Sequence, residues 1–423
     1  MHEQDVGRVI YRALDMLNAR AVREFRVPPS TYIGPGATVR AGEACAALGI
    51  RRLFVMVDGR LHEQALDQGL LRSLDDAGLG CECLVYAGGE PHSEVVEAAG
   101  RQLLAADCDG VLAFGGGSVL DAAKATALLA AKATALLAAN PERRVSELGD
   151  GPALRRRMPL IAVPTTAGTG SEATNVAVIT DSQRHLKQVL VHTDLIPDLA
   201  IIDACLTLGV PPAVTAATGI DALTHAIEAY VAPSATPLTQ GLALRAVALI
   251  GEALPLAVGQ GGNVGARESM MLASYMAGMA FSNSGLGLCH ATAHPLGARY
   301  GIPHGQANAL MLPAVMRFNQ LVCKRAYADI GHALSRESLD AERSIAAVQR
   351  LIDEVGAAGR DLQAHGVRRE DFAALAEAAL QDICLAGNPR SACAQQIVAI
   401  YQDAWQRRGA CQQGNNSVQE QLS

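Results

Sequence analysis

Three histidines fall within the stretch Gly285–Gly305 (GLGLCHATAHPLGARYGIPHG): His290, His294 and His304. His290 and His294 are spaced one helical turn apart, so both imidazoles can leave the same face of a helix. Upstream, GIDALTHAIEAYV (Gly219–Val231) offers Asp221 and His225 at the same spacing. Two helices that each present ligands at i and i+4 can close one divalent metal site from two directions. A lone histidine on an apolar helix is usually a core residue with a satisfied hydrogen bond. Three clustered histidines beside an Asp–His pair make that plain reading hard to hold. Spacing alone does not choose between His290 and His294 as the ligand.

A second group of motifs suits a nucleotide. VLAFGGGSVLDAAKA (Val111–Ala125) reads as strand, glycine turn, helix. Gly115, Gly116 and Gly117 allow close backbone approach, and the amides of Gly117 and Ser118 open a helix whose positive end favours phosphate. No Lys-Ser/Thr pair follows, so this is not a Walker A loop, and the spacing is not that of the Gly-x-Gly-x-x-Gly fingerprint. PTTAGTGSEAT (Pro164–Thr174) supplies Thr165, Thr166, Thr169 and Ser171 after another expected strand. Those hydroxyls could hold phosphate or ribose, or simply cap a following helix. Asp58 ends the strand LFVMVD, where a carboxylate can accept both ribose hydroxyls and repel a 2′-phosphate, favouring NAD over NADP; an ordinary turn aspartate is the alternative.

These residues must be positioned by the rest of the 423-residue chain, long enough for two domains. The first two hundred residues alternate β-like runs with helical patterns, as in a parallel α/β sheet. Strands are expected at Leu53–Val57, Cys83–Tyr86, Val111–Phe114, Leu160–Val163 and Ala200–Ile202. Beyond Asp203 the pattern becomes helical through Trp405. The expected division is an N-terminal amphipathic helix at 1–26, an α/β dinucleotide-binding domain at 27–204, a helical metal-binding domain at 205–406 and a polar tail at 407–423. Val6, Val9, Ile10, Ala13, Leu17 and Ala21 form the apolar stripe of the first helix. AAKATALL occurs at 122–129 and again at 130–137. Eight added residues turn the following helix face by roughly 80° and lengthen it by about 12 Å. The copy lies past the helix start, so a longer helix or a bulged loop is expected, with the site intact.

Half of the residues are hydrophobic, 18% are charged and the net charge is −7, which argues against a nucleic-acid partner. No polybasic or basic amphipathic run suggests a membrane surface, and no secretory signal is visible. Ala122–Ala139, the most apolar run, carries Lys124 and Lys132 and reads as a soluble helix. The ten cysteines are scattered without a Cys-x-x-Cys pair, which suits free thiols in a reducing, cytoplasmic compartment. Cys289, beside His290, is where oxidation would do damage.

GGGSVLDAAKA, PTTAGTGSEAT, GIDALTHAIEAYV and HATAHPLGARYGIPHG, in this order, resemble the iron-containing (group III) alcohol dehydrogenase family. The resemblance runs from about Val27 to Arg390. RVPPSTYIGPG, LFVMVDGRLHEQ, ARESMMLASYMAGMAFSNSGLGLCHATAH and DICLAGNPR look closer still to the ethanol dehydrogenases of ethanolamine-utilisation operons. The resemblance implies a Rossmann-like α/β domain followed by an all-α domain, with the active site in the cleft between, as in the dehydroquinate synthase-like superfamily. It implies metal ligation by Asp221, His225, His290 and His304, with His294 as the non-ligating catalytic histidine. It implies cofactor contacts from Asp58, Gly116, Gly117, Ser118, Asp121, Thr165, Thr166, Thr169 and Lys187. Where many members carry Asn-Pro near the nicotinamide, this chain reads EPHSE, with His92 in the Asn position.

An Asp with three histidines suits Fe²⁺ and also Zn²⁺. With NAD(H), the resemblance implies interconversion of a short-chain primary alcohol and its aldehyde, His294 either relaying a proton or hydrogen-bonding a ligand or the ribose. The resemblance further implies acetaldehyde reduction during ethanolamine breakdown, an acetaldehyde-producing partner enzyme, and a homo-oligomer. The first helix could dock to a bacterial microcompartment shell or pack on its own domain. The rivals are a zinc-dependent polyol or glycerol dehydrogenase of the same superfamily and a non-catalytic microcompartment component. Dehydroquinate synthase needs a polyanion site, and no Arg/Lys cluster accompanies these histidines.

Overall fold

The computed structural model describes residues 23–136, 157–181 and 186–406, with the side chains at 131–136, 181, 186 and 187 outside that description. The expected helix at 1–26 lies outside the described residues up to position 22, and residues 23–26 have no regular structure; the expected tail at 407–423 also lies outside. The described strands are β1 (Ser30–Ile33), β2 (Arg52–Asp58), β3 (Gly80–Tyr86), β4 (Gly110–Gly115), β5 (Leu160–Pro164), β6 (Val176–Asp181), β7 (Leu186–Val191) and β8 (Leu199–Ile202). Six form one parallel sheet in the order β1-β8-β5-β4-β2-β3, and β6 and β7 form an antiparallel hairpin.

Helices α1 (Ala41–Ala47), α2 (Gly59–Glu63), α3 (Gln68–Asp76), α4 (Ser93–Ala105) and α5 (Gly117–Leu136) accompany the sheet. Strand alternation decides which layer each side chain joins. Phe54, Met56, Val111 and Ala113 pack with Val96, Leu103 and Leu120 of α4 and α5 on one face. Leu53, Val55, Val57, Leu112 and Phe114 pack with Ala41, Cys45, Leu70 and Leu74 of α1 and α3 on the other. Both faces are therefore covered, which is why these strands read as unbroken apolar runs. Burying each Val, Leu, Met or Phe side chain among them contributes roughly 1.5–3 kcal/mol.

The second half is helical: α6 (Pro212–Val231), α7 (Pro237–Gly259), α8 (Val264–Ser284), α9 (Leu288–Tyr300), α10 (His304–Ser335), α11 (Ala341–Glu354), α12 (Phe372–Leu380) and α13 (Ala394–Gln406). One apolar cluster joins all of them, from Ile220 and Leu223 through Val247, Met270, Leu288 and Met311 to Val348, Phe372 and Tyr401. Helix α7 is long and apolar enough to cross a membrane, but Ala243, Val247, Ile250 and Leu254 spend that apolarity in this core. Helix α6 is buried almost all round from Thr215 to Tyr230, so its Asp221, His225 and Glu228 are polar groups that need partners inside the protein.

All five strand segments expected from the sequence lie within β2, β3, β4, β5 and β8. Strands β1, β6 and β7 were not foreseen. β1 is only four residues long at the sheet edge, between Pro29 and Gly34, too short to show a period. The hydroxyls of Pro164–Thr174 do not cap a long helix; a three-residue 3-10 turn, Ser171–Ala173, leads instead into β6. The repeated AAKATALL continues α5 as one longer helix as far as Leu136, and Gly117 remains its first residue. Nine cysteines are unpaired among the described residues.

Candidate active site

Asp221 and His225 sit one turn apart on α6, His290 lies in the first turn of α9, and His304 opens α10. One ligand atom from each of these four lies within 4.8 Å of every other. His304 Nε2 stands 3.4 Å, and His290 Nε2 3.9 Å, from the same Asp221 oxygen. The His225 ring stacks on His290 at 4.6 Å and on Phe281 at 4.5 Å. His294 groups instead with Asp382 and Cys384, its ring 5.3 Å from that of His304. Gly305 makes the convergence feasible: a β-carbon there would lie 2.3 Å from the Ala217 carbonyl, so only glycine lets α10 start this close to α6.

Each inner imidazole is oriented by an acceptor on its far side. His225 Nδ1 donates to the Gly168 carbonyl at 3.2 Å, His290 Nδ1 to Glu228 Oε2 at 2.5 Å, and His294 Nδ1 to Asp382 Oδ2 at 2.7 Å. A proton fixed on Nδ1 leaves Nε2 as a lone-pair donor. The Asn308 amide nitrogen shows where those lone pairs aim. It donates to Asp221 Oδ1 at 2.7 Å and lies 3.2 Å from both His290 Nε2 and His304 Nε2. Three acceptors converging on one positively polarised group is the electrostatic demand that a cation meets.

Electrostatics point the same way. Burial, reinforced by His225 and His304, holds the His290 imidazole well below its usual range, and hence neutral. Burial works against the Asp221 carboxylate, but His225, His304, His290 and the Asn308 amide hold it below the usual carboxylate range. A neutral imidazole and an ionised carboxylate are the ligating forms. The residues therefore fit a divalent cation with mixed O/N preference. Cys289 is fully buried with its thiol pushed well up by that burial, so it is inert rather than the oxidation site the sequence suggested.

The nucleotide motifs meet at the carboxyl ends of neighbouring parallel strands, the usual ligand edge of an open α/β sheet. Gly115 at the end of β4 pairs with Pro164 at the end of β5. Gly116 faces Thr166, and a β-carbon on Gly117 would stand 2.6 Å from Thr169 Cγ2. Gly116, Gly117, exposed Ser118, Thr166 and Thr169 thus gather where α5 begins, with Thr165 buried beside them, its amide donating to the Gly115 carbonyl at 3.0 Å. Asp58 ends the adjacent β2 and caps α2, its Oδ1 accepting from the amides of Arg60 and Leu61. Asp121 accepts from Ser171 Oγ at 2.6 Å and from the Val178 amide at 2.9 Å, tying α5 to the loop and to β6. Lys187 pairs in register with Thr180; its side chain lies outside the described residues. His92, in the position of the expected Asn, forms an isolated bridge with Thr180.

Sequence reasoning passed over four participants. Glu228 follows His225 at i+3, on the same helical face, and Asn308 follows His304 at i+4, so periodicity held a signal for both. Gly168 and Asp382 act from distant positions, and nothing local marks them.

The chain matches two family models, "Iron-containing alcohol dehydrogenase" over residues 28–204 and "Fe-containing alcohol dehydrogenase family, C-terminal" over residues 215–405. It is 52% identical over 399 residues to a "Probable alcohol dehydrogenase EutG" of Salmonella typhimurium, covering 94% of this chain and 99% of that one. Among solved structures it resembles 1,3-propanediol oxidoreductase, with a TM-score of 0.85 and 35% identity over 91% of this chain and all of the other. It also resembles sulfoacetaldehyde reductase of Bifidobacterium kashiwanohense in complex with NAD⁺, with a TM-score of 0.81 and 27% identity over 92% of this chain and all of the other. Matched across both halves and along the full length of its relatives, this chain is an oxidoreductase that belongs to the iron-containing alcohol dehydrogenase family.

Proposed function

We propose that the protein interconverts a short-chain primary alcohol and its aldehyde with NAD(H), and that its working direction is reduction of acetaldehyde to ethanol in ethanolamine utilisation. The observation that carries the catalytic part is the convergence of Asp221, His225, His290 and His304 behind the Gly168 carbonyl. The substrate assignment rests on the resemblance to the EutG relative. Residues 27–204 form the dinucleotide-binding unit and 205–406 the metal-binding unit.

In this reading Asp221, His225, His290 and His304 hold Fe²⁺, or Zn²⁺ in its place, the affinity order favouring zinc. Asp58, Gly116, Gly117, Ser118, Asp121, Thr165, Thr166, Thr169 and Lys187 hold NAD(H), Asp121 by fixing Ser171 and β6. When bound, the cation supplies Lewis-acid polarisation of the substrate oxygen, and NAD(H) supplies or accepts the hydride. The protein's own part is orientation and proton handling. His294 exchanges a proton at Nε2 with the substrate oxygen, while Asp382 accepts its Nδ1–H and stabilises the imidazolium. Burial opposes the Asp382 charge, but the hydrogen bond from His294 holds its carboxyl below the usual range, so it remains an acceptor.

The setting proposed with it is cytoplasmic, as a homo-oligomer beside an acetaldehyde-producing enzyme, within a bacterial microcompartment. The test is anaerobic NADH oxidation with acetaldehyde by metal-stripped protein titrated with Fe²⁺ or Zn²⁺. Activity that appears with iron and fades in air supports the reading. Activity only with zinc, on polyols and not acetaldehyde, moves the protein to the glycerol-type branch.

A further inference from the structure

We propose that Glu228 is a positioning residue of the metal centre, one buried carboxylate that fixes the His290 tautomer and, in the same act, anchors the helix carrying His290 and His294. Its Oε2 accepts the Nδ1–H of His290 at 2.5 Å, and its Oε1 accepts the Cys289 amide at 2.6 Å. The cap residue of α9, Gly287, has no side chain to satisfy the first amides of the helix. Those amides are taken from outside: Cys289 N by Glu228, on α6, and Leu288 N by Asn388 Oδ1 at 3.2 Å. Gly287 is itself pressed against both, since a β-carbon there would lie 3.0 Å from Glu228 Oε1 and 3.1 Å from Asn388 Oδ1.

Two requirements of a ligating histidine meet in this one group. The ring must carry its proton on Nδ1 so that Nε2 is free to bind, and the helix that aims it must not shift. Glu228 lies one turn from His225 on α6, so the same helix that supplies Asp221 and His225 also sets the orientation of the ligand arriving from α9. Three of the four ligands are thereby referred to a single rigid element. Glutamine at 228 would keep the size and an acceptor for the Cys289 amide. Its NH₂ would face His290 Nδ1, however, and a donor there favours the opposite tautomer, with Nε2–H pointing at the site.

The inference rests on the cluster being a metal site, and the experiment separates the two. Metal-stripped wild type, Glu228→Gln and Asn388→Ala are titrated with Zn²⁺, and anaerobically with Fe²⁺, against a chelator of known affinity. Thermal unfolding of each metal-free protein is followed in parallel. The expected result for E228Q is a loss of about 10–100-fold in affinity for both metals with folding retained. N388A, which removes the neighbouring anchor without touching His290, is expected to keep wild-type affinity. Wild-type affinity in E228Q overturns the inference, as does an equal loss in N388A, which would reduce Glu228 to a helix anchor. Failure of the wild type to bind either metal overturns the metal-site reading itself. Should E228Q not fold, ¹⁵N imidazole NMR of the wild type decides: a proton on His290 Nδ1 is required, and one on Nε2 overturns it.

Discussion

The Nδ1–H of His225 donates to the carbonyl of Gly168 at 3.2 Å, so a residue of the proposed metal site leans directly on the loop proposed to hold the cofactor. Thr166 and Thr169 flank Gly168, and all three belong to the connection that leaves β5. A cofactor that orders this loop also fixes the acceptor that orients His225. Coupling of this kind is reciprocal. Saturating NADH should slow chelator stripping of the metal and tighten metal binding, and bound metal should tighten NADH binding by the same factor. Equilibrium titrations of each ligand with and without the other check it. Independent affinities would sink the idea.

Gly117 and Thr169 offer a sharper test of the nucleotide edge. A methyl at 117 would stand 2.6 Å from Thr169 Cγ2 and 3.1 Å from its hydroxyl, forcing the two loops apart where phosphate is expected. Gly117→Ala should weaken NADH binding at least tenfold, about 1.4 kcal/mol, with metal content unchanged. Removing the obstructing methyl by Thr169→Ser in the same protein should restore part of that loss. Isothermal titration of the single and double variants with NADH measures both effects, and normal binding by G117A would exclude this surface.

The sequence was most informative where chemistry and period coincide. Asp221–His225 and His290–His294 stood out because a four-residue spacing on an apolar helix has few other uses, with His304 close by in sequence; Asp221, His225, His290 and His304, the set the family resemblance implies, do converge in space. Helical spacing could not rank His290 against His294, because both leave one face of α9; what distinguishes them is a partner elsewhere, Glu228 for one and Asp382 for the other. Strands buried on both faces announced themselves as apolar runs, whereas β1 at the sheet edge, with Ser30 and Ile33 exposed, carried no such mark. Gly168 acts through its backbone, which no side-chain motif reports.

His290 and His294 should separate metal from turnover. His290→Ala removes a ring whose Nε2 lies with the other ligand atoms, so metal content should fall to background. His294→Ala should leave the metal in place and lower kcat by about 10²–10⁴-fold, the usual contribution of a general acid or base. Asp382→Asn should follow His294→Ala in direction, because the amide no longer stabilises the imidazolium. Metal analysis alongside steady-state kinetics tests all three; equal metal loss in H290A and H294A would contradict this division.

Beside the proposed cofactor loop, Glu172 should make stability depend on pH. It is buried in the turn that follows Gly170, and burial pushes its carboxyl up to about 7, with Lys124 opposing the shift. Unfolded, the group titrates near its ordinary value of 4.5. Between those values the folded protein keeps a proton that the unfolded chain has released, so stability falls as pH rises through this window and stays lowered above it. The loss is on the order of 3 kcal/mol. Glu172→Gln matches the size without titrating. Its Tm should therefore rise relative to the wild type as pH is taken from about 5 to about 7.5 and level off beyond. Differential scanning calorimetry of the two metal-free proteins across that range supplies the comparison, in which the Glu228 carboxyl, also raised to about 7 by burial, cancels. Parallel Tm curves would show that Glu172 stays ionised in the fold.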